Sequence, residues 1–298
     1  MSYSGYLVAP YRPALANQVV TFFSSAHRLD PTLRPLSHAQ WTAFASHADW
    51  RDFLLLASHD GTVVAVMTTQ RVVRSSQPIR HFCIYVAPEL RRSGIASFLL
   101  REVESLDNGR ALPTLECRLR SDWMAGTGFL RHYGFRPWKT WIDLRADLKG
   151  RAPARAISGF WLRTPHLPGE APAMAHLSKA SHNVEVTPDA ASFAELSDDP
   201  DRDALIVVDG DRLVGFIVFE PDDGGLGWVD NIVIAPAYRQ RGLGRWLMEA
   251  ALIHIGVHAS EVTLQCEAKN APALALYRSL NFHPTGGSTI YVREHHHV

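Results

Sequence analysis

Short apolar runs and longer segments of helical periodicity alternate along the chain, and their order in the first half returns in the second. Apolar runs of this length, bounded by turn residues, are typical of β-strands. We therefore predict two structural repeats, each built around several short strands. The matched runs are 53–57 with 204–208, 62–69 with 213–219, and 114–117 with 262–266.

The first two strands of each repeat are joined by the same dipeptide, Asp60-Gly61 in one and Asp209-Gly210 in the other. Such a pair between apolar runs favours a β-hairpin, because glycine accepts the positive φ that a tight turn requires. Helical spacing of apolar residues marks segments 14–27 and 171–181 before the hairpins. It also marks two later faces, formed by Ile95, Phe98, Leu99 and Val103 and by Leu243, Leu247, Ala250 and Ala251.

These elements predict an α/β chain with two tandem domains, each a mainly antiparallel mixed sheet flanked by helices. The segment 146–157 contains Gly150, Pro153 and several charges, which are features of a linker. We therefore expect one domain at 1–147 and a second at 157–298, each long enough to bury a core of ordinary size.

Composition excludes several classes of protein. Of the 298 residues, 46% are hydrophobic and 20% are charged, values typical of soluble globular proteins. No apolar run approaches the roughly 20 residues that span a membrane, and the N-terminus lacks the pattern of a signal peptide. Three cysteines, an odd and sparse set, do not indicate a disulfide framework. We expect a cytoplasmic protein that does not bind membranes.

Charge is distributed unevenly although the net charge is zero. The first 148 residues carry 17 Lys and Arg against 12 Asp and Glu, whereas the remainder carries 13 against 18. Neither half is basic enough to indicate a nucleic-acid partner, and the acidic second half suits a cationic substrate such as an amine. The histidines at 295–297 are expected to form a tail, so no metal site is predicted.

One sequence motif occurs twice, with the two copies 148 residues apart. Each copy has the pattern of a strand, a glycine-containing turn and a helix. Such a unit directs backbone N–H groups and the positive end of a helix at a phosphate. In the second copy Gly242 and Gly244 would allow close approach, and Arg239 and Arg241 could neutralise phosphate charge. The preceding strand could offer backbone groups to an extended ligand that carries amides, such as pantetheine.

The ordered set of motifs resembles the GNAT superfamily of acyl-CoA-dependent N-acetyltransferases, and two copies resemble its tandem members. The resemblance covers about 205–290 well and about 55–140 more loosely. It implies an acetyl-CoA site in each copy. The implied residues are Ile232, Val233, Ile234, Arg239, Gln240, Arg241, Gly242, Leu243, Gly244 and Asn270, and in the first copy Ile84, Tyr85, Val86, Arg91, Arg92, Ser93, Gly94, Ile95 and Ala96.

The resemblance also implies catalytic roles in the second half. Tyr277 matches the family tyrosine near the sulfur of CoA, where a phenol can protonate the departing thiolate. Asn270 matches an asparagine that either contacts the pantetheine arm or caps the next helix, and both alternatives stay open. Backbone N–H groups of Ile232–Ile234 would polarise the thioester carbonyl.

Asp230 is the candidate base, because it lies just before the strand where many family members carry a carboxylate. Strand alternation would direct Asp230 and Asn231 to opposite faces unless a bulge intervenes. Glu220 and Glu267 are alternative carboxylates.

The first half departs from the pattern. Leu130 occupies the position that corresponds to Tyr277, and Phe82 and Cys83 correspond to Asp230 and Asn231. We therefore expect the first domain to be catalytically degenerate and the second to be active.

These interpretations predict an acetyl-CoA-dependent N-acetyltransferase that acts directly on a primary amine of a small molecule or peptide, as a monomer or homodimer. The alternative is a non-catalytic acyl-CoA-binding, sensing or scaffold protein.

Overall fold

The computed structural model describes ten ranges, which are 2–3, 5–29, 36–46, 55–74, 77–106, 114–151, 155–181, 189–199, 201–221 and 225–294. Parts of the sequence predictions therefore lie outside the described residues, namely positions 53–54 of one strand, 152–154 of the linker and the histidines at 295–297. The chain divides into two compact units, Met1–Trp138 with Thr289–Val298, and Lys139–Ser288.

The first unit contains six strands and four helices before the chain leaves it, among the described residues. Its strands are β1 (Ser2–Tyr3), β2 (Tyr6–Pro10), β3 (Leu55–His59), β4 (Thr62–Arg74), β5 (Gln77–Val86) and β6 (Thr114–Arg120). Its helices are α1 (Ala16–Leu29), α2 (His38–Ser46), α3 (Ile95–Ser105) and α4 (Met124–His132).

The second unit repeats this order. The chain enters it along β7 (Arg136–Asp147) and continues through β8 (Trp161–Arg163), α5 (Ala171–Ser181), α6 (Ala190–Ala194), β9 (Asp203–Asp209) and β10 (Arg212–Glu220). The remaining elements are β11 (Leu226–Ile234), α7 (Leu243–Ile255), β12 (Glu261–Glu267), α8 (Ala271–Ser279) and β13 (His283–Arg293).

Each unit has a mixed sheet in which the strands are mainly antiparallel. The first sheet runs in the order β1-β2-β3-β4-β5-β6 and continues with residues 289–293 of β13. The second begins with residues 283–288 of β13 and 139–147 of β7 and continues as β12-β11-β10-β9-β8. β5 pairs with β6 in parallel, and β11 pairs with β12 in parallel. The predicted fold class is thus confirmed.

Helices cover both faces of each sheet. In the first unit Leu99 and Val103 of α3 are buried on one face, and Val19 and Trp41 of α1 and α2 are buried on the other. In the second unit α7 covers one face and α5 with α6 covers the other, with Leu247 and Met174 fully buried beneath them. Burial of these apolar faces is the main driving force that fixes the helices on the sheets. Among the described residues, no helix has the length and apolar character that crossing a membrane requires.

The two units exchange their last strands, which the sequence did not predict. The chain passes into the second unit within β7 and returns to the first within β13. Leu144 of β7 is buried in the core of the second unit, whereas Tyr291 of β13 is buried in the core of the first. The compact units therefore differ from the expected bounds of 1–147 and 157–298. The alternating pattern of a strand determines which face it buries but not which strand it pairs with.

Replacing Tyr291 with alanine tests this exchange. Tyr291 is 6% exposed, and its loss should lower the stability of the first unit by about 3 kcal/mol although it lies only seven residues before Val298. Hydrogen exchange should accelerate in amides of 77–106 and not in those of 226–267. The half-buried neighbour Val292 serves as the control, since Val292→Ala removes less buried surface. Faster exchange confined to 226–267 would contradict the strand assignment.

Candidate active site

The second copy of the repeated motif, residues 232–244, forms a backbone cradle at the start of a helix. After β11 the chain makes a short 3₁₀ turn at Pro236–Tyr238 and reaches Gly242, which is the N-cap residue of α7. The φ of Gly242 is 81°. This left-handed conformation is accessible to glycine without the cost that a Cβ imposes. Trp246 N–H donates to the carbonyl of Gly242 at 3.0 Å, which closes the first helical turn. The N–H groups of residues 243–245 have no acceptor within the helix and form an anion-binding end.

Arg239 braces this cradle. Its Nε donates to the carbonyl of Ile234 at 3.2 Å, and its Nη2 donates to the carbonyl of Ser181 at 3.3 Å. The guanidinium therefore ties the end of β11 to the end of α5. The sequence prediction that Arg239 neutralises phosphate charge stays a prediction, and the geometry adds a structural role.

Two other arginines bring positive charge beside the cradle. The guanidinium carbons of Arg241 and Arg212 lie 5.1 and 5.7 Å from the centroid of the Tyr238 ring. The hydroxyl of Tyr238 donates to Asp209 Oδ2 at 2.9 Å, which anchors the ring on the turn between β9 and β10. Stacking on an aromatic face orients a guanidinium while leaving its N–H donors available.

The sheet of the second unit opens next to the cradle. The parallel ladder of β11 and β12 extends only from Leu226 and Glu261 to Val229 and Leu264. Beyond it, within the described part of the chain, residues 231–234 of β11 pair with β10 alone. Every second residue of this stretch directs its N–H and C=O away from β10, where an extended amide-bearing ligand can pair with them.

A β-bulge lies at the start of this opening. Val218 pairs with Asn231 and Phe219 pairs with Val229, so that Asp230 is an extra residue in β11. The bulge breaks the alternation that would otherwise place Asp230 and Asn231 on opposite faces. A bulge is the condition under which both side chains can reach one cleft, and this condition is met.

Asp230 and Glu220 belong to one charged cluster with Arg202. Arg202 Nη2 donates to Asp230 Oδ2 at 2.7 Å, and Arg202 Nε lies 3.7 Å from Glu220 Oε1. Partial burial raises the pKa of Glu220 above its ordinary value, Arg202 opposes this effect and the charge of Asp230 adds to it. A carboxylate with a raised pKa is a better proton acceptor near neutral pH. The other alternative, Glu267, is the last residue of β12.

Tyr277 is a buried phenol on α8. It is 6% exposed, and its ring packs 5.7 Å from that of Phe282. Burial first, and then the thiol of Cys266, raise the pKa of Tyr277 well above its ordinary value. The phenol therefore stays protonated near neutral pH. Within the described residues its hydroxyl makes no hydrogen bond, which leaves it available to a ligand.

Asn270 caps α8. Its Oδ1 accepts a hydrogen bond from the N–H of Ala273 at 3.3 Å, so the capping alternative is confirmed. Its amide N–H groups are not used by the cap. Contact of Asn270 with a ligand stays a prediction.

The first unit keeps the backbone of the cradle. Arg92 and Gly94 have φ values of 68° and 88°, close to the 63° and 81° of Gln240 and Gly242. Phe98 N–H donates to the carbonyl of Gly94 at 3.0 Å, as Trp246 does to Gly242. The predicted residues of both phosphate turns thus adopt the same conformation. The remaining predicted residues of the first turn, Ile84, Tyr85, Val86, Arg91, Ser93, Ile95 and Ala96, lie at the end of β5, in the turn and at the start of α3.

The side chains of the first unit differ where the chemistry would occur. The pairing of β4 with β5 has no register shift, so Phe82 lies on a regular strand rather than at a bulge. Leu130, which corresponds to Tyr277, is 2% exposed and has no proton to donate. The expected loss of catalytic groups in the first unit agrees with these positions, and its inactivity stays a prediction.

The sequence profile of the Acetyltransferase (GNAT) family matches residues 18–135 and again residues 171–282. The chain belongs to the GNAT acetyltransferase family. It is a tandem GNAT N-acetyltransferase, because the two matches coincide with the two repeats.

Curated relatives and solved structures agree with this assignment. A mycothiol acetyltransferase of Nocardioides sp. is 29% identical over 223 residues, 67% of this chain and 75% of that protein. Another, of Actinosynnema mirum, is 26% identical over 264 residues, 86% of this chain and 83% of that protein.

Two solved structures share the fold of the tandem GNAT chain. A GCN5-related N-acetyltransferase of Sphaerobacter thermophilus has a TM-score of 0.79 at 18% identity, with 99% of this chain and 97% of that chain covered. A tandem GNAT protein from the clavulanic acid biosynthesis pathway, solved without AcCoA, has a TM-score of 0.72 at 17% identity, with 97% and 98% covered.

Sequence reasoning missed Arg202, Arg212 and Trp123. Arg202 precedes β9 and reaches a carboxylate 28 residues later, a distance that no local pattern reveals. Arg212 starts β10 and becomes part of the site through the ring of Tyr238. Trp123 could have been found, because it lies seven residues before Leu130 just as Asn270 lies seven before Tyr277.

Removing Arg239 should loosen the cradle of this GNAT unit. We expect Arg239→Ala to lower the free energy of unfolding by about 1 kcal/mol, since two charged hydrogen bonds to partly exposed carbonyls are lost. Arg241→Ala is the matched control, and its effect should stay within about 0.5 kcal/mol because it removes an exposed guanidinium. Urea unfolding measures both. Equal losses for the two variants would argue against the bracing role.

Proposed function

We propose that the second unit transfers the acetyl group of acetyl-CoA directly to a primary amine. The observation that carries this proposal is the opening between β11 and β12, which extends along β11 between the cradle and a carboxylate pair. Tyr277 belongs to the core cluster against which Ile232 and Ile234 of this stretch pack. Residues 243–245 would hold the diphosphate, and backbone groups of residues 232–234 would pair with the pantetheine arm.

The catalytic steps follow from the groups in the cleft. The amine attacks the thioester carbonyl, and a backbone N–H of residues 232–234 stabilises the negative charge that develops on its oxygen. The cationic acceptor first releases one proton to solvent, so that the neutral amine attacks. The C–N bond then forms, the C–S bond breaks, and a second proton of the nitrogen passes to the Asp230–Glu220 pair, which releases it to solvent. Tyr277 donates its proton to the departing thiolate and regains one from solvent. We assign Glu220 as the base, because burial raises its pKa and Arg202 lies closer to Asp230 than to Glu220.

A small molecule is the acceptor that the observations favour. The excess of acidic residues in the second half attracts a cationic amine from solution. The relatives named mycothiol acetyltransferase support a small-molecule acceptor over a peptide. The test is a panel of small amines and peptide N-termini, with acetylated product measured by mass spectrometry. If acetyl-CoA binds but no acceptor in the panel is acetylated, the catalytic assignment of the second unit fails.

Replacing Tyr277 with phenylalanine isolates its hydroxyl. We expect kcat to fall by about 10²-fold, because the thiolate loses its proton donor, while the Kd for acetyl-CoA stays within a factor of about two. Tyr291→Phe removes a buried hydroxyl from the first unit and is the control, with kcat unchanged. Steady-state kinetics and calorimetry give both constants. An unaltered kcat in Tyr277→Phe would remove this residue from the mechanism.

The pH dependence of kcat/KM tests the base. Because the pKa of Glu220 is raised, activity should be lost as the pH falls through a value above the ordinary 4.5 of a glutamate. Glu220→Gln should lower kcat/KM by about 10²-fold. Asp230→Asn should retain more activity and shift the acidic limb to lower pH, since a charge that raises the pKa of Glu220 is gone and Arg202 is freed to pair with it. A limb that does not move in Asp230→Asn would contradict this assignment.

A further inference from the structure

Trp123 occupies a position in the first unit where the second unit has an asparagine. The carbonyl of Leu130 accepts a 3.0 Å hydrogen bond from the N–H of Phe135, and the carbonyl of Tyr277 accepts one of the same length from the N–H of Phe282. Leu130 and Tyr277 are therefore equivalent positions of the two repeats. Seven residues before Leu130 lies Trp123, which directly precedes α4. Seven residues before Tyr277 lies Asn270, which directly precedes α8. Asn270 folds back to cap its own helix, whereas Trp123 makes no side-chain cap.

The indole of Trp123 contacts both sides of the first sheet. Its ring lies 6.2 Å from that of Tyr85, which packs against the core beneath α1 and α2. Trp123 also packs against the core beneath α3, to which Phe82 and Val86 belong. Since Tyr85 and Val86 are neighbours on opposite faces of β5, Trp123 lies where the two cores of the first unit approach each other.

The sheet is open at this place. The parallel ladder of β5 and β6 runs from Ile79 and Thr114 to His81 and Glu116. Further along β5, within the described residues, Phe82–Val86 pair only with β4. The guanidinium carbon of Arg91, at the start of the cradle, lies 5.7 Å from the Trp123 ring. The indole therefore lies beside the part of β5 that pairs only with β4, and close to the arginine at the start of the cradle.

In the second unit the residue that corresponds to Trp123 is Asn270, whose side chain is short and polar. Asn270 is turned onto α8, and β11 keeps its backbone groups open toward β12 beyond Val229. The cradle backbones of the two units are alike, so the phosphate turn is not what distinguishes them. The difference lies where an extended arm of a ligand would have to pass.

We propose that Trp123 closes the acyl-donor cleft of the first unit, so that the chain binds one acetyl-CoA, in its second unit. This inference rests on the proposed function, because it assumes that the opening of the second unit is the acyl-donor site. Trp123 is a specificity-determining residue that selects which of two similar cradles is used.

Binding stoichiometry tests the proposal on the full chain. Native mass spectrometry and calorimetry with acetyl-CoA should give one site for the wild type and none for Gly242→Asp, whose carboxylate enters the remaining cradle. Trp123→Ala should give two sites. Adding Gly94→Asp to Trp123→Ala should return the count to one. Trp138→Ala removes a 36% exposed tryptophan of the same unit and should leave one site.

Each outcome decides between the alternatives. Two sites in the wild type, or one site in a folded Trp123→Ala, would overturn the role of Trp123 while leaving the proposed function intact. No site in the wild type would overturn both. If Trp123→Ala does not fold, the counts for wild type and Gly242→Asp decide: one and none support the proposal, and any other pair overturns it.

Discussion

The site depends on the early divergence of two parallel strands. β11 and β12 stay paired for four residues and then separate. The separation leaves backbone donors and acceptors of β11 without a partner strand on that side. Unpaired backbone groups in such a place are costly unless a ligand or water satisfies them. We propose that this opening is the surface that binds the acyl donor. The roles proposed for the cradle at Gly242, the bulge at Asp230 and the phenol of Tyr277 all depend on that assignment.

The two units share the backbone of a GNAT domain but differ in the side chains that would carry out its chemistry. Both keep the left-handed turn, the short parallel ladder and the helix that follows, because these features are fixed by glycine, by strand pairing and by burial of an apolar helix face. The residues that would move protons are present only in the second unit among the described positions compared above. In the first unit the indole of Trp123 packs against Tyr85 and the core beneath α3, whereas the corresponding residue of the second unit, Asn270, caps α8.

Much of this arrangement was predictable from the sequence, and the failures have physical reasons. Strands, hairpins, helices and both cradles follow from local periodicity and from glycine, so they were recognised without a structure. The exchange of β7 and β13 was not, because alternation specifies a buried face and not a partner strand. The cluster around Arg202 was missed since its bonds join segments that are distant in sequence. The bulge was stated only as a condition, because one extra residue leaves no distinct signal in an apolar run.

Hydrogen–deuterium exchange with and without saturating acetyl-CoA is the most direct test of the central claim, that the opening of the second unit is the acyl-donor site. The account predicts slower exchange at residues 230–246, where backbone N–H groups would bind the ligand, and unchanged exchange at residues 82–98 of the first unit. Protection at 82–98 alone, or no protection in either segment under saturating ligand, would contradict it.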